Sequence, residues 1–220
     1  MPSTTIHRSA FGLALTSLFL VGPVSAQETN PVHTHVGHVA DSFRNTPESR
    51  GLLPTAVAEA EIAHQHATLA GRDPADLEAM KRHMAHVLHA LDPAEVAAGP
   101  GLGYGVVAAA TGAARHIELA AASDGASEGV KTHAIHVATA AAHALSNAEA
   151  AVRVAKRVQR ATEASAAAEM LTELTTLTRT ILEGVDADGD GRTGWQESEG
   201  GLAQATQHLG LLKRGEGLGG

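Results

Sequence analysis

The chain has 220 residues, a formal net charge of −8 at pH 7, 2% aromatic residues and no cysteine. The lack of cysteine excludes a disulfide framework and a covalently attached c-type haem. An acidic chain with so few rings offers neither the cationic surface nor the stacking platforms that nucleic acid requires, so we expect no nucleic-acid partner. Its core has to be built from Ala, Leu, Val and Ile, which favours an all-α fold.

Residues 1–26 have the three parts of a secretory signal. His7 and Arg8 supply the positive start, Phe11–Gly22 is a short apolar run, and small residues lead to a cleavage site after Ala26. A bilayer span takes about 20 apolar residues, and histidine or charged residues interrupt every later Ala-rich stretch. We therefore expect a periplasmic or secreted protein that does not insert into a membrane once the signal is cleaved.

Residues 27–50 form a polar segment that Pro31 and Pro47 interrupt. It contains the motif His33-x-His35-x-x-His38. Proline and polar residues together argue against a regular element, so the sequence predicts an extended arm whose histidines are too flexible to chelate an ion.

From Pro54 onwards, apolar residues recur every three or four positions, which is the period of a helix face. The second helix should begin at Asp73-Pro74, with Asp73 as its N-cap. We find no fixed-length internal repeat. Residues 51–160 are expected to form a His-rich bundle of four main helices, and residues 161–220 an appended helix-loop-helix with a Gly-rich tail. The predicted helices cover residues 55–70, 74–91, 106–123, 128–160 and 162–184, with a last one that begins near Trp195.

Residues 186–197 have the twelve-residue spacing of a calcium loop. Ca²⁺ takes six to eight oxygen ligands, so a loop that binds it must turn several carboxylates inward over a short span. Gly191 at position six permits the sharp bend, and Gly194 at position nine leaves room for a water. The predicted calcium ligands are Asp186, Asp188, Asp190, the backbone carbonyl of Arg192, and Glu197 with both carboxylate oxygens.

In this loop and its flanking helical patterns the chain resembles the EF-hand family, over roughly its last quarter. Thr193 stands at position eight, where an aliphatic residue usually pairs with a second hand, and the sequence has no second loop. The resemblance therefore implies a solitary hand with Ca²⁺ as its ligand, which either senses the ion or is stabilised by it.

Histidine is the second feature, with 14 residues in the chain. Neutral imidazole is a common transition-metal ligand, and helical pairs three or four residues apart can share one ion. On a helical wheel His86 and His89 fall opposite the apolar stripe of their helix and should face water. The candidate ligands for Cu²⁺, Ni²⁺ or Zn²⁺ are His83, His86, His116, His133 and His136. In composition and in these helix-borne pairs, residues 51–160 resemble the small His-rich periplasmic helical proteins that bind copper, nickel or zinc.

Other site chemistries find less support in the sequence. Glu61-Ile-Ala-His64 has the spacing of a di-iron bundle motif, but that architecture needs a second copy and two further glutamates. A b-type haem could sit between Met80 or Met84 and His116 or His133, although few large apolar residues are available to enclose it. Gly103–Ala108 matches a relaxed dinucleotide fingerprint without the strand that must precede it.

The sequence thus predicts an exported metal-binding protein that is not an enzyme, since it contains no zinc-protease, nucleophile-elbow or phosphate-loop motif. Ca²⁺ would occupy the C-terminal loop, and the helical histidines would hold a transition metal. Two alternatives stay open. One is a module whose C-terminal helices bind a protein partner of unknown identity when Ca²⁺ is present, and the other is a small b-haem electron carrier.

Overall fold

The computed structural model describes residues 1–3 and 30–219. Most of the predicted signal, residues 4–26, lies outside this part of the chain. Within it the protein is an all-α helical bundle with no strand, which confirms the predicted fold class. None of the described helices combines the length and the apolar character that a bilayer crossing needs.

The bundle contains seven α-helices in the described part of the chain, and the longest of them is central. This helix, α5, has 33 residues and packs against α3, α4, α6 and α7. A single 3₁₀ turn, Pro47–Ser49, precedes α2. The helices are α1 (Pro31–Ala40), α2 (Leu52–Ala70), α3 (Leu77–Leu91), α4 (Val106–Ala122), α5 (Glu128–Arg160), α6 (Ala164–Glu183) and α7 (Leu202–Gly215).

The polar N-terminal segment is a packed helix, and our expectation of an extended arm was wrong. The Asn30 side chain accepts a hydrogen bond from the amide of Val32 at 2.9 Å, and Pro31 occupies the first turn, where its missing N–H costs nothing. Three valines at helical spacing, Val32, Val36 and Val39, are buried in the common core. This apolar stripe outweighs the polar composition around it.

Alanine lines much of the core and lets the helices approach one another closely. Ala134, Ala141, Ala144 and Ala148 of α5 are buried along one face of this helix. At Gly112 of α4 an added Cβ would lie 2.9 Å from a terminal methyl of Leu52, which would have to move to accommodate it. The absence of a side chain at this position therefore makes room for Leu52 of α2.

The two C-terminal helices belong to the bundle and are not appended to it. Leu174 and Ile181 of α6 and Leu202 of α7 are fully buried in the same core as the residues of α2–α5. The last helix begins at Leu202, seven residues later than the predicted start at Trp195. Gly200 and Gly201 explain the delay, because they pack too tightly against Ala140 and Gly184 to carry side chains.

A second correction concerns the start of α3. Asp76, and not Asp73, is the N-cap, and its carboxylate accepts a hydrogen bond from the amide of Ala79 at 2.8 Å. Asp73 instead caps a turn just before the helix by accepting from the amide of Ala75. Two aspartates with equal capping ability compete here, and the one closer to the apolar stripe of α3 starts the helix.

Glu59 of α2 is fully buried, and its carboxylate organises the Gly-rich loop that leads into α4. It accepts hydrogen bonds from the amides of Leu102 at 3.1 Å, Tyr104 at 2.9 Å and Gly105 at 3.0 Å. Gly105 is the N-cap residue of α4 and has a φ of 83°, which favours glycine. The carboxylate thus also lies at the positive end of the helix dipole.

We predict that Glu59→Gln destabilises the bundle by about 1–3 kcal/mol, because the amide group places a donor against backbone donors that then lose their acceptor. Chemical denaturation followed by circular dichroism measures the change. Glu61→Gln, two residues away on the exposed side of the same helix, is the matched control. Equal unfolding midpoints for the two variants would contradict the role assigned to Glu59.

Candidate metal centres

Nine histidines gather into three clusters of three, which we call sites 1, 2 and 3. Within each cluster the ring nitrogens that could bind an ion lie within 4.8 Å of one another, and all nine side chains are half-buried. Site 1 is His35, His38 and His116; site 2 is His66, His83 and His86; site 3 is His133, His136 and His208.

Every site is assembled in the same way from two helices. One helix contributes a pair of histidines three residues apart, which places both rings on one face. A second helix contributes a single histidine, here called the central histidine. The pair and central histidine come from α1 and α4 in site 1, from α3 and α2 in site 2, and from α5 and α7 in site 3.

The central histidine directs its Nδ1 atom at the Nδ1 atoms of both partners. In site 1, Nδ1 of His116 lies 3.0 Å from that of His35 and 3.4 Å from that of His38. The two corresponding distances are 3.0 and 3.3 Å around His66 in site 2. They are both 3.2 Å around His208 in site 3.

The ring orientations repeat as closely as the distances. The central ring is tilted by 33–38° to the first ring of the pair, at centroid distances of 5.2–5.4 Å. It stands at 72–82° to the second ring of the pair, at 4.5–4.8 Å. Three different helix pairs thus form one arrangement of imidazoles three times.

This arrangement fits a first-row transition-metal ion. An ion with nitrogen ligands about 2.0–2.1 Å away in a tetrahedral site holds those ligands about 3.3–3.4 Å apart. The Nδ1 separations of 3.0–3.4 Å are close to this value. Three imidazoles would leave a fourth coordination position for water or another ligand, as in zinc sites with three protein ligands.

Burial and neighbouring charge favour the neutral form of the central histidine in each site, which is the form that a metal requires. Burial lowers the pKa of His66, and the neighbouring His86 and His83 lower it further. Burial likewise lowers the pKa of His116 and of His208, again with help from the other histidines of their sites. Neutral imidazole is the metal-binding form, so these rings retain their ligand character below the pH at which an ordinary histidine takes up a proton.

Aromatic side chains flank two of the three sites. In site 1 the Phe43 ring lies 5.4 Å from that of His38 and 5.2 Å from that of His116, edge-on in both cases. In site 3 the Trp195 indole stacks on His136 at 3.9 Å with an interplanar angle of 23°. Trp195 belongs to the loop between α6 and α7, so this loop is in direct contact with a candidate ligand.

All five histidines predicted as transition-metal ligands lie in these sites. His83 and His86 share site 2 and His133 and His136 share site 3, whereas His116 belongs to site 1. Four members were missed: His35 and His38, because α1 was expected to be an extended arm, and the central histidines His66 and His208. The expectation that His86 and His89 face water was wrong. His86 is half-buried against His66, and His89 is buried with its Nδ1–H donating to the carbonyl of Val96 at 2.8 Å.

A recurring motif, at intervals that are not of one fixed length, marks three of the four missed residues, His35, His38 and His66. The pattern His-x-x-His-Val occurs at 35–39, 83–87 and 133–137, with starts 48 and 50 residues apart. The central histidines His66 and His116 are also 50 residues apart. In each pattern the residue after the first histidine and the final valine are buried, which turns both histidines toward the edge of the helix interface.

The carboxylates of Asp186, Asp188 and Asp190 also lie within 4.8 Å of one another, on the exposed side of the α6–α7 loop. Both carboxylate oxygens of Asp186 accept hydrogen bonds from backbone amides within the loop. The hydrogen bond from the amide of Gly191 has a length of 2.9 Å. Glu197, the remaining predicted side-chain ligand, is exposed and does not join this group. The buried acid of this segment is Glu199, which accepts from the amide of Gly194 at 2.7 Å.

The structure also places the residues of the di-iron and b-haem alternatives. Met80 and Met84 are fully buried in the core, whereas His116 belongs to site 1 and His133 to site 3. Glu61 is exposed, whereas His64 is hydrogen-bonded to the Thr178 hydroxyl at 3.0 Å.

Comparisons with models of protein families, with curated proteins and with solved structures found no match to this chain. The interpretation of the three sites therefore rests on their own geometry and chemistry.

The lowered pKa values predict how the metal-free protein responds to acid. An unfolded histidine takes up a proton near pH 6.5, but the folded sites resist protonation until lower pH. Stability is therefore fully present above about pH 6.5 and falls as the pH drops toward the lowered folded pKa values.

Melting curves between about pH 7.5 and about pH 5 should show this loss. Replacing the three central histidines with alanine should flatten the dependence, since the pKa of the remaining histidines is then less perturbed. An unchanged slope in that triple variant would contradict the assignment.

Proposed function

We propose that this protein binds transition-metal ions at three equivalent histidine sites and that it buffers or stores them. The observation that carries the proposal is the threefold occurrence of one arrangement, with the same nitrogen atoms, distances and ring angles on three different helix pairs. A chance meeting of histidines would not reproduce these angles. We infer storage from the repetition, because three copies of one site raise the number of metal ions that one chain can bind.

The ligand set points to borderline metal ions. Imidazole suits zinc, copper and nickel, and the three sites contain neither a thiolate nor a carboxylate. The near-tetrahedral nitrogen spacing favours Zn²⁺ over Ni²⁺, which prefers square-planar or tetragonal surroundings. Cu²⁺ competes with Zn²⁺ through its higher intrinsic affinity for nitrogen ligands. Export, which the N-terminal sequence predicts, would place this capacity outside the cytoplasm.

The prediction is a stoichiometry of three. Zn²⁺ titration of the full chain by calorimetry should reach three ions per chain, with affinity falling as the pH drops through the lowered pKa values of the histidines. His66→Ala, His116→Ala and His208→Ala should each remove one ion, because each deletes the histidine that faces both partners. Elemental analysis after gel filtration gives an independent count.

His64→Ala is the matched control, since His64 lies two residues from His66 on the same helix and contacts Thr178 outside the sites. It should still bind three ions. If the wild-type chain binds none more tightly than about millimolar, the clusters are surface polar groups and the proposed function is wrong.

We further propose that the Asp186–Glu197 loop binds Ca²⁺ weakly, as the EF-hand resemblance implies. The converging carboxylates of Asp186, Asp188 and Asp190 support this assignment. Because Glu197 is exposed and lies outside this group of carboxylates, it would have to turn inward to complete the ligand set. Such a rearrangement costs free energy and places the affinity at the weak end, about 10⁻⁴ to 10⁻³ M.

The single tryptophan of the chain reports on this event. Trp195 lies two residues before Glu197, so closure of the loop should alter its fluorescence in a saturable way as Ca²⁺ is added. Asp188→Asn and Glu197→Gln should each weaken the response strongly while leaving the bundle folded. No heat and no fluorescence change at millimolar Ca²⁺ would remove the loop from the proposal.

A further inference from the structure

The three sites offer identical ligands but differ in what surrounds them. Hydrophobic and aromatic neighbours control how water reaches a bound ion, and they hold ligand rings in place before the ion arrives. Nearby fixed charges add to or subtract from the attraction for a cation. These two effects give the sites different affinities even though their nitrogen geometry is the same.

Site 3 has the most restricted surroundings. The indole of Trp195 covers one face of His136 at 3.9 Å and nearly parallel to it, which limits rotation of this imidazole. The loop that carries Trp195 is itself fastened to α5, since the Nδ1–H of His143 donates to the carbonyl of Gly200 at 2.8 Å. Glu199 is buried in the same loop, and its carboxylate accepts a hydrogen bond from the amide of Gly194. These contacts hold the indole against His136.

Site 1 is intermediate. Phe43 contacts His38 and His116 with its edge, which shields the rings less than a stacked indole does. Arg115 directly precedes the central histidine His116 in α4, and its positive charge acts on His116. A cation in this site gains an apolar neighbour and meets one repulsive charge.

Site 2 has the least favourable surroundings for a cation. Among the described residues, no Phe, Tyr or Trp ring packs against its three histidines. The ring contacts of these histidines are with one another. Two positive side chains, Arg82 and Arg72, act on His83. A bound cation here lacks an aromatic neighbour and is repelled by two guanidinium groups.

From these differences we propose that the sites fill in a fixed order, site 3 first and site 2 last, and that site 2 is the exchange site from which an ion is passed on. Sites 3 and 1 retain their ions, whereas site 2 accepts and releases its ion readily. This inference rests on the proposed function, since it ranks the same three sites.

Trp195 makes the order measurable. Cu²⁺ quenches indole fluorescence at short range, and Trp195 touches a ligand of site 3 only. In a Cu²⁺ titration of the full chain without Ca²⁺, most of the quenching should occur within the first equivalent. His208→Ala should abolish this early quenching. His66→Ala should leave it unchanged and remove the last, weakest binding step in calorimetry.

Two variants test the physical causes. Trp195→Leu should still bind three ions while the tightest step weakens by about tenfold, the size expected for a lost aromatic contact near a cation. Arg82→Gln should tighten the weakest step, because it removes one repulsive charge from site 2. From the fully loaded protein, a chelator should first withdraw the ion that the His66→Ala variant lacks.

Quenching spread evenly over three equivalents, or completed only at the third, would overturn the proposed order. So would a Trp195→Leu variant whose tightest step is unchanged. A total of fewer than three ions would instead contradict the proposed function, so the two failures are distinguishable by the stoichiometry.

Discussion

Close helix packing through alanine is the constraint on which the rest of the structure depends. Helices whose facing positions are Ala or Gly approach closely, and long side chains at the edges of such an interface are brought together. The histidines occupy these edges and are half-buried in all three sites. An added side chain at Gly112 would crowd Leu52 of α2, so the tight packing of the bundle restricts substitution at such positions.

Sites 1 and 3 connect α1 and α7, which bury few residues in the core, to other helices of the bundle. In α1 the buried residues are three valines, and in α7 they are Leu202, Ala205, Leu209 and Leu212. An ion pair between Lys213 and Asp41 joins these terminal helices at 2.6 Å, but such a surface pair contributes little. An ion in site 1 would fasten α1 to α4, and one in site 3 would fasten α7 to α5. Because metal binds only the folded arrangement, occupancy would stabilise both ends of the chain.

Helix periodicity was enough to predict the all-α class and most of the helices, including the full extent of α5. The predictions failed where polar composition hid an apolar pattern and where a tertiary contact set the start of a helix. The arm around His35 has too many polar residues to look helical, yet three valines at the correct spacing bury it. The start of α7 was predicted too early because the tight contact of Gly200 with Ala140 is a tertiary feature that no local pattern contains.

For the sites, the sequence identifies most of the ligands, whereas the fold determines which ligands share a site. The His-x-x-His-Val repeat identifies the paired ligands, and the 50-residue spacing of His66 and His116 identifies two of the central ones. Each of these two lies 17 residues before the next pair in the chain. The repeat would therefore assign His116 to the pair at His133 and His136, by analogy with His66 and its partners in site 2.

The fold assigns the partners differently. His116 faces α1, and the pair on α5 is completed by His208 of α7, 72 residues beyond His136. Which edge of α4 faces which neighbour is decided by the burial of Ala109, Ala113 and Ile117, and so by the packing of the whole bundle. Ligand identity is local information, whereas ligand partnership depends on topology. A protein can thus keep one site design through its repeats while the connections between the helices determine which parts of the chain each ion joins.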